Sequence, residues 1–260
     1  MVSPGRVAFT VFGIDIMWYG VLIGFAFVLG TLINCRRAPK FGLKPDTFLD
    51  VIIWLIPSSL VGARLYYVIF NWSYYQNNLS EIINTRHGGL AIHGGLILGI
   101  ITVYLVCRHD KESFPDVLDV LAPAIALGQA IGRWGNFFNE EAHGIETDLP
   151  WAQIIDGTGY HPTFIYESIW CFLMFLFLIW FSNHKRTFRG QIICLYFMLY
   201  SFERFFVEAL RTDSLMIGPL RQAQVISIVI FIAALLAYGV LRKKYPLATE
   251  PAESQNTIKE

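Results

Sequence analysis

Seven stretches of the chain are long and apolar enough to cross a bilayer, which takes about 17 to 25 residues per helix. They run from Ile14 to Ile33, Phe48 to Phe70, Leu90 to Cys107, Phe114 to Ile131, Phe164 to Phe181, Ile192 to Leu210 and Val225 to Leu241. Each predicts a helix, because hydrocarbon offers no partner to a backbone that has not satisfied its own hydrogen bonds. The fourth stretch is the weakest, carrying Asp119 and Pro123. Its Ala124, Gly128 and Gly132 recur every four residues, the small-residue spacing that lets helices pack closely in lipid, so it is kept as a span. The expected fold is therefore an all-α polytopic membrane protein of about seven transmembrane helices.

Basic residues orient the spans, since they are retained on the cytoplasmic side. Arg36, Arg37, Lys40 and Lys44 follow the first span, Arg108 and Lys111 the third, Lys185, Arg186 and Arg189 the fifth, and Arg242, Lys243 and Lys244 the seventh. The segment from Trp134 to Pro162 has no Lys or Arg but carries Glu140, Glu141, Glu146, Asp148 and Asp156. The amino terminus is accordingly expected outside and the carboxyl terminus in the cytoplasm, with a small extracytoplasmic cap at about residues 134–163. A composition that is 55% hydrophobic and only 15% charged excludes an ordinary soluble domain. The first span lacks the cleavage pattern of a signal peptide and reads as retained. Residues 1–245 are expected to form one transmembrane catalytic domain, and 246–260 a polar, disordered cytoplasmic tail. Cys35, Cys107, Cys171 and Cys194 show neither metal-ligand spacing nor a disulfide framework, and are read as structural.

With the spans oriented, the unusual polar residues fall at similar depth in the outer half. Tyr19, Arg64, His93 and Arg133 come from the first four spans, His161, Tyr166 and Glu167 from the fifth, and Arg204, Glu208 and Arg211 from the sixth. Tyr196, Tyr200, Arg204 and Glu208 recur at intervals of four and share one helix face. Charged groups inside a membrane are costly, which makes a functional site the default explanation. Blander alternatives exist: an Arg204–Glu208 pair that only neutralises itself, an Arg64 that snorkels to the headgroups, and a His93 that is merely hydrogen-bonded. Gly94 and Gly95 beside His93 leave room either for substrate or for close backbone approach.

The densest polar block, Gly132-Arg133-Trp134-Gly135-Asn136-Phe137-Phe138-Asn139-Glu140-Glu141, lies where the fourth apolar stretch ends. Arginines and amides, without a carboxylate cage or cysteine cluster for a metal, suit an anionic lipid headgroup. A guanidinium presents a planar fork of donors matched to phosphate oxygens. Such a site could bind, transport or transform a phospholipid.

Gly132 to Asn139 of this block, followed by Glu141 and Gly144, resembles the signature of bacterial prolipoprotein diacylglyceryl transferases, with Glu141 as the signature acid, while Glu140 and Ala142-His143 depart from it. Trp18-Tyr19-Gly20, Gly62-Ala63-Arg64, Ile92-His93-Gly94-Gly95-Leu96, His161-Pro162-Thr163 with Tyr166-Glu167, and Arg204 with Glu208 follow that family's pattern in order, from about Trp18 to Leu241. The resemblance implies transfer of the diacylglyceryl group of phosphatidylglycerol to the lipobox cysteine thiol of an exported prolipoprotein, forming a thioether and releasing glycerol phosphate. Catalytic roles are expected for His93, Arg133, Arg204, Glu208 and Tyr19: either His93 accepts the thiol proton, or it only positions lipid while the Arg204–Glu208 pair, with Tyr19, manages the proton. Substrate contacts are expected from Arg133, Asn136, Asn139, Glu141, Gly144, Arg64, His161 and Tyr166, with Glu141 and Glu208 holding the cations. Neither metal nor cofactor is expected. The partners are phosphatidylglycerol, the signal-peptide and lipobox region of a prolipoprotein, and membrane lipids, with no nucleic acid; the location is the bacterial cytoplasmic (inner) membrane. The competing functions are an anionic lipid transporter or flippase, against which the absence of an inverted repeat counts, and a non-catalytic lipid-binding assembly factor.

Overall fold

Every apolar stretch becomes a helix, and most helices outrun the stretch that announces them. The computed structural model describes residues 1–84, 88–212 and 216–247, except for the side chain of Ile217. The long helices are α1 (Trp18–Arg37), α2 (Pro45–Phe70), α4 (Ile92–Asp110), α5 (Phe114–Asn139), α6 (Thr163–His184), α7 (Gln191–Glu208) and α8 (Gln222–Lys244), with a single-turn α3 at Trp72–Tyr75. Among the described residues there are also three two-stranded antiparallel hairpins: β1 (Val7–Val11) with β2 (Ile14–Met17), β3 (Gln153–Ile155) with β4 (Thr158–Tyr160), and β5 (Met216–Ile217) with β6 (Leu220–Arg221). Among the described residues six helices are long and apolar enough to cross a membrane. The remaining long helix, α7, carries Glu203, Arg204 and Glu208 in its last two turns.

Two boundaries differ from expectation. Ile14–Met17, read as the start of the first span, pairs instead with β1 across a two-residue Phe12-Gly13 turn, and the helix begins at Trp18. The block after Ile131 does not open a cap: α5 continues through it to Asn139. There Glu140 takes a left-handed φ of 56°, and the N–H groups of Glu141 and Glu140 donate to the carbonyls of Asn136 and Phe137, a Schellman closure. The first two residues of the expected tail make backbone contacts. Leu247 donates its N–H to Thr187 O at 2.9 Å and Pro246 bridges Phe188, while the rest of the predicted tail lies outside the described residues.

The chain divides into two compact units, Phe27–Val120 on one hand and Met1–Ala26 with Leu121–Glu260 on the other. In the first, α2 and α4 cross at glycine: a Cβ on Gly94 would fall 2.1 Å from Gly62 O, and one on Gly62 would fall 2.4 Å from Gly94 O. Only hydrogen at both positions permits this backbone contact, which is how lipid-embedded helices gain van der Waals packing. Thr102 Oγ1 donates to Ser58 Oγ at 2.8 Å across the same pair. In the second unit, Trp170 of α6 donates its Nε1 hydrogen to Leu199 O of α7 at 3.2 Å, and Ser168 Oγ of α6 donates to Ala130 O of α5 at 2.8 Å. The amino-terminal ammonium donates to Ala152 O, joining the start of the chain to the 140–162 segment.

Candidate active site

The second unit brings four charged side chains of three helices together. Arg133 lies near the carboxyl end of α5, Glu167 in the opening turns of α6, and Arg204 with Glu208 in the closing turns of α7. The chain joins the first two ends through residues 140–162, and that segment bonds back to the end of α7. Ile145 N–H donates to Leu210 O at 2.8 Å, and Gly144 bridges Arg211.

Glu167 is the centre of the arrangement. Its side chain is buried between two arginines: Oε1 accepts from Arg204 Nη1 at 2.8 Å, and Oε2 faces Arg133 Nε at 3.0 Å as an ion pair without linear hydrogen-bond alignment. Arg204 Nη2 meets Glu208 Oε2 at 2.6 Å, one helical turn along α7. Two cations and two carboxylates thus form one chain, which is the condition under which buried charges are tolerated. Both guanidinium side chains keep 18% exposure, whereas Glu167 keeps 1%. The contact of Arg133 with Glu167 uses Nε, whereas the face of a guanidinium that matches phosphate oxygens is its Nη fork.

Tyr19 belongs to the same unit. A Cβ on Gly135 would sit 2.2 Å from Tyr19 Cδ2, so this glycine of the signature block exists to admit the phenol ring beside α5. Trp18 stacks on Phe138 with centroids 4.9 Å apart, fixing the entrance of α1 against the end of α5. Asn136 is half-buried on the turn after Arg133. Asn139 donates through Nδ2 to Glu141 Oε1 at 3.3 Å, and its carbonyl accepts from Arg6 Nη2. Glu141 is exposed and partnered by that amide. Glu141 was expected to hold an arginine; the carboxylate that meets Arg133 and Arg204 is Glu167, while α5 ends at Asn139, the chain turns at Glu140 and Glu141 is left exposed beside the Asn139 amide.

Gly144, His161 and Tyr166 form a second cluster. Gly144 donates its N–H to His161 O at 2.9 Å, and a Cβ there would fall 2.7 Å from His161 Cβ. Tyr166 OH accepts from Trp151 Nε1 at 3.2 Å and lies 3.3 Å from His161 Nδ1. These residues hold the 140–162 segment to the start of α6.

Arg64 and His93 lie in the other unit. All five N–H donors of Arg64 are consumed by backbone carbonyls: Nε by Ile82, Nη1 by Gly88 and Gly89, and Nη2 by Glu81 and Asn84, at 2.5 to 3.0 Å. Its guanidinium also sits 5.2 Å from the Tyr75 ring centroid. With 7% exposure and no donor left over, Arg64 organises the segment before α4 and is not available to a headgroup, contrary to expectation. His93 is exposed in the first turn of α4, with its ring centroid 5.9 Å from Tyr66. Of the two purposes open to the glycines beside it, Gly94 serves close backbone approach.

Sequence reasoning placed Glu167 in the constellation without assigning it the arginines, and passed over Arg221. Arg221 Nη1 donates to the carbonyls of Glu208 and Arg211, capping the end of α7 that carries the site. Nothing local in the sequence marks that contact.

A family model described as prolipoprotein diacylglyceryl transferase matches residues 6–240. Among curated proteins, the phosphatidylglycerol--prolipoprotein diacylglyceryl transferase of Finegoldia magna is 53% identical over 231 residues, covering 89% of this chain and 93% of its own. Those of Clostridioides difficile and Clostridium novyi are 53% identical over 239 residues and 48% over 240, covering 92% and 88% of this chain and 96% and 93% of theirs.

Proposed function

The chain belongs to the prolipoprotein diacylglyceryl transferase family, and we infer from that membership and from the arginine cluster that it is a multi-pass membrane transferase acting on phosphatidylglycerol and a prolipoprotein. It moves the diacylglyceryl group of the lipid onto the lipobox cysteine thiol. The carbon–sulfur bond forms as the carbon–oxygen bond to phosphate breaks, the electron pair leaves with glycerol phosphate, and the thiol proton goes to a base.

The observation that carries the reading is the pair of arginines held by Glu167, Arg133 through its Nε. Charge grows on the departing phosphate oxygen in the transition state, and a preorganised guanidinium stabilises it without reorganising. Arg133 and Arg204 take the lipid phosphate and then the glycerol phosphate, Glu167 and Glu208 orient them, and Asn136 and Tyr19 orient the headgroup. The 140–162 segment, bonded to both helix ends, caps the site. The alternation of basic connections supports an outward-facing site in the bacterial cytoplasmic membrane, with the carboxyl terminus inside.

His93 is the candidate base, because a neutral imidazole is suited to accept a proton near neutral pH. The thiol starts near a pKa of about 8.5, so generating thiolate is part of the task. His93→Gln enzyme is expected to bind lipid and fail to turn over; near-wild-type turnover would remove the assignment.

Incubating purified protein with phosphatidylglycerol and a lipobox peptide tests the whole reading. Thioether-linked diacylglyceryl peptide with equimolar glycerol phosphate is expected. Lipid translocation without peptide modification would instead mean a flippase, and binding alone an assembly factor.

A further inference from the structure

The β1–β2 hairpin has no part in the reaction, and among the described residues its strands pair only with each other. Past the irregularity between Val7 and Phe9, cross-strand partners share a face: Phe9 with Ile16 and Val11 with Ile14 on one side, Thr10 with Asp15 on the other. Thr10 Oγ1 donates to Asp15 Oδ1 at 2.7 Å, so the only charged side chain between Arg6 and Trp18 is held on the polar side. The apolar side is uncovered: Phe9, Val11 and Ile14 are 52%, 42% and 67% exposed. The turn adds a residue that its own geometry disfavours. Phe12 and Gly13 stand at φ of 50° and 79°, a conformation that Asn, Asp or Gly adopts at little cost in a two-residue hairpin, yet the first position is a phenylalanine. Its side chain is fully exposed and gains nothing from the protein around it.

What meets this face is set by where the hairpin stands. Met17 runs directly into Trp18, the first residue of α1, whose 20 residues rise about 30 Å, the thickness of a hydrocarbon core, and close on Arg36 and Arg37. The basic pair marks one membrane boundary, so Trp18 and the hairpin lie at the other, in the layer of headgroups where aromatic side chains collect. A hairpin with two open edges belongs in that wet layer and no deeper, because hydrocarbon leaves unpaired backbone groups unsatisfied. An apolar face backed by a polar one is the arrangement that lies in such an interface. We propose that the β1–β2 hairpin rests on the leaflet where α1 begins, with Phe9, Val11, Phe12 and Ile14 seated among lipid and Thr10 and Asp15 turned to water. Its base is fixed to the helix that carries Arg133. Arg6 O accepts from Trp18 N–H at 2.9 Å, Arg6 Nη2 donates to Asn139 O at 3.2 Å, and Ser3 Oγ donates to Phe138 O at 3.3 Å. Seating the hairpin therefore also holds the carboxyl end of α5 at the level of the headgroups.

Photo-cross-linking reads this contact without turnover. Full-length protein carrying p-benzoylphenylalanine in place of Phe12, Ile14 or Thr10 is reconstituted in vesicles of phosphatidylglycerol and phosphatidylcholine and irradiated, and its peptides are weighed by mass spectrometry. Lipid adducts are expected in place of Phe12 and Ile14 and are lost in place of Thr10. The two apolar positions report independently, so a variant that fails to fold leaves the other to decide. Absence of lipid adducts at both, equal adducts at Thr10, or an adduct to a second copy of the chain overturns the inference, as does replacement of lipid by an added lipobox peptide. None of these results bears on the arginine site, whose failure would show instead as unchanged lipid binding in Arg133→Ala.

Discussion

Glu167→Gln is the substitution on which the site geometry makes its largest demand. The amide keeps the shape of the side chain but removes the charge that two guanidinium groups share, and it places an NH2 donor against one of them. In the wild-type protein the carboxylate is fully buried, with one oxygen 2.8 Å from Arg204 Nη1 and the other 3.0 Å from Arg133 Nε. Breaking a buried pair by removing one partner costs about 3 to 5 kcal/mol, because the remaining charge is left uncompensated. At about 1.4 kcal/mol per factor of ten, a loss of transition-state stabilisation of that size lowers kcat/KM by about 10²- to 10³-fold or more. The assay is release of glycerol phosphate with a lipobox peptide as acceptor, run beside a thermal-unfolding measurement. A double-mutant cycle with Arg133→Ala isolates the contact. If both residues act through one cluster, the double variant is less impaired than the sum of the singles by about 1 to 3 kcal/mol. Turnover of Glu167→Gln within a few-fold of wild type, at unchanged stability, would refute the claim that Glu167 positions the arginines.

Three further outcomes follow from named contacts. Arg64→Lys offers three donors to five carbonyls, so the thermal midpoint should drop by the equivalent of about 2 to 4 kcal/mol, while KM for phosphatidylglycerol in the surviving folded enzyme stays unchanged; weakened lipid binding at full stability would return Arg64 to the substrate. Gly94→Ala drives a methyl into the carbonyl of Gly62 and should abolish recovery of monodisperse protein on size exclusion, whereas Gly128→Ala, whose nearest neighbour is 4.0 Å away, is tolerated. Gly135→Ala displaces the Tyr19 ring and should reproduce the turnover defect of Tyr19→Ala, with little added loss in the double variant, as measured by kcat under saturating lipid.

The long helices were legible because each must satisfy its own backbone in hydrocarbon, and a run of apolar residues reports that need directly. The same signal misled at Ile14–Met17, where apolar residues continue a hairpin and hydropathy does not distinguish strand from helix. It also ended too early at Ile131, since polar residues that face one another across a bundle belong to the helix as much as the lipid-facing ones do. The β3–β4 hairpin carried a readable mark in its Asp156-Gly157 turn, with both residues at positive φ. Within the site, Arg133, Arg204 and Glu208 were identifiable as charges on apolar helices, but partner choice was not. Glu167 prevails over Glu141 through the close packing of α5, α6 and α7, a tertiary fact. Arg64 shows the opposite limit: the motif Gly62-Ala63-Arg64 marks an important arginine, yet only the positions of five carbonyls reveal that it serves the backbone.

The central claim is that the two arginines joined by Glu167 receive the lipid phosphate. A structure of the full-length protein with phosphatidylglycerol bound tests it most directly. The account predicts the phosphate within hydrogen-bond distance of the Nη groups of Arg133 and next to Arg204. A headgroup bound elsewhere, with both arginines engaged only by Glu167 and Glu208, would contradict it.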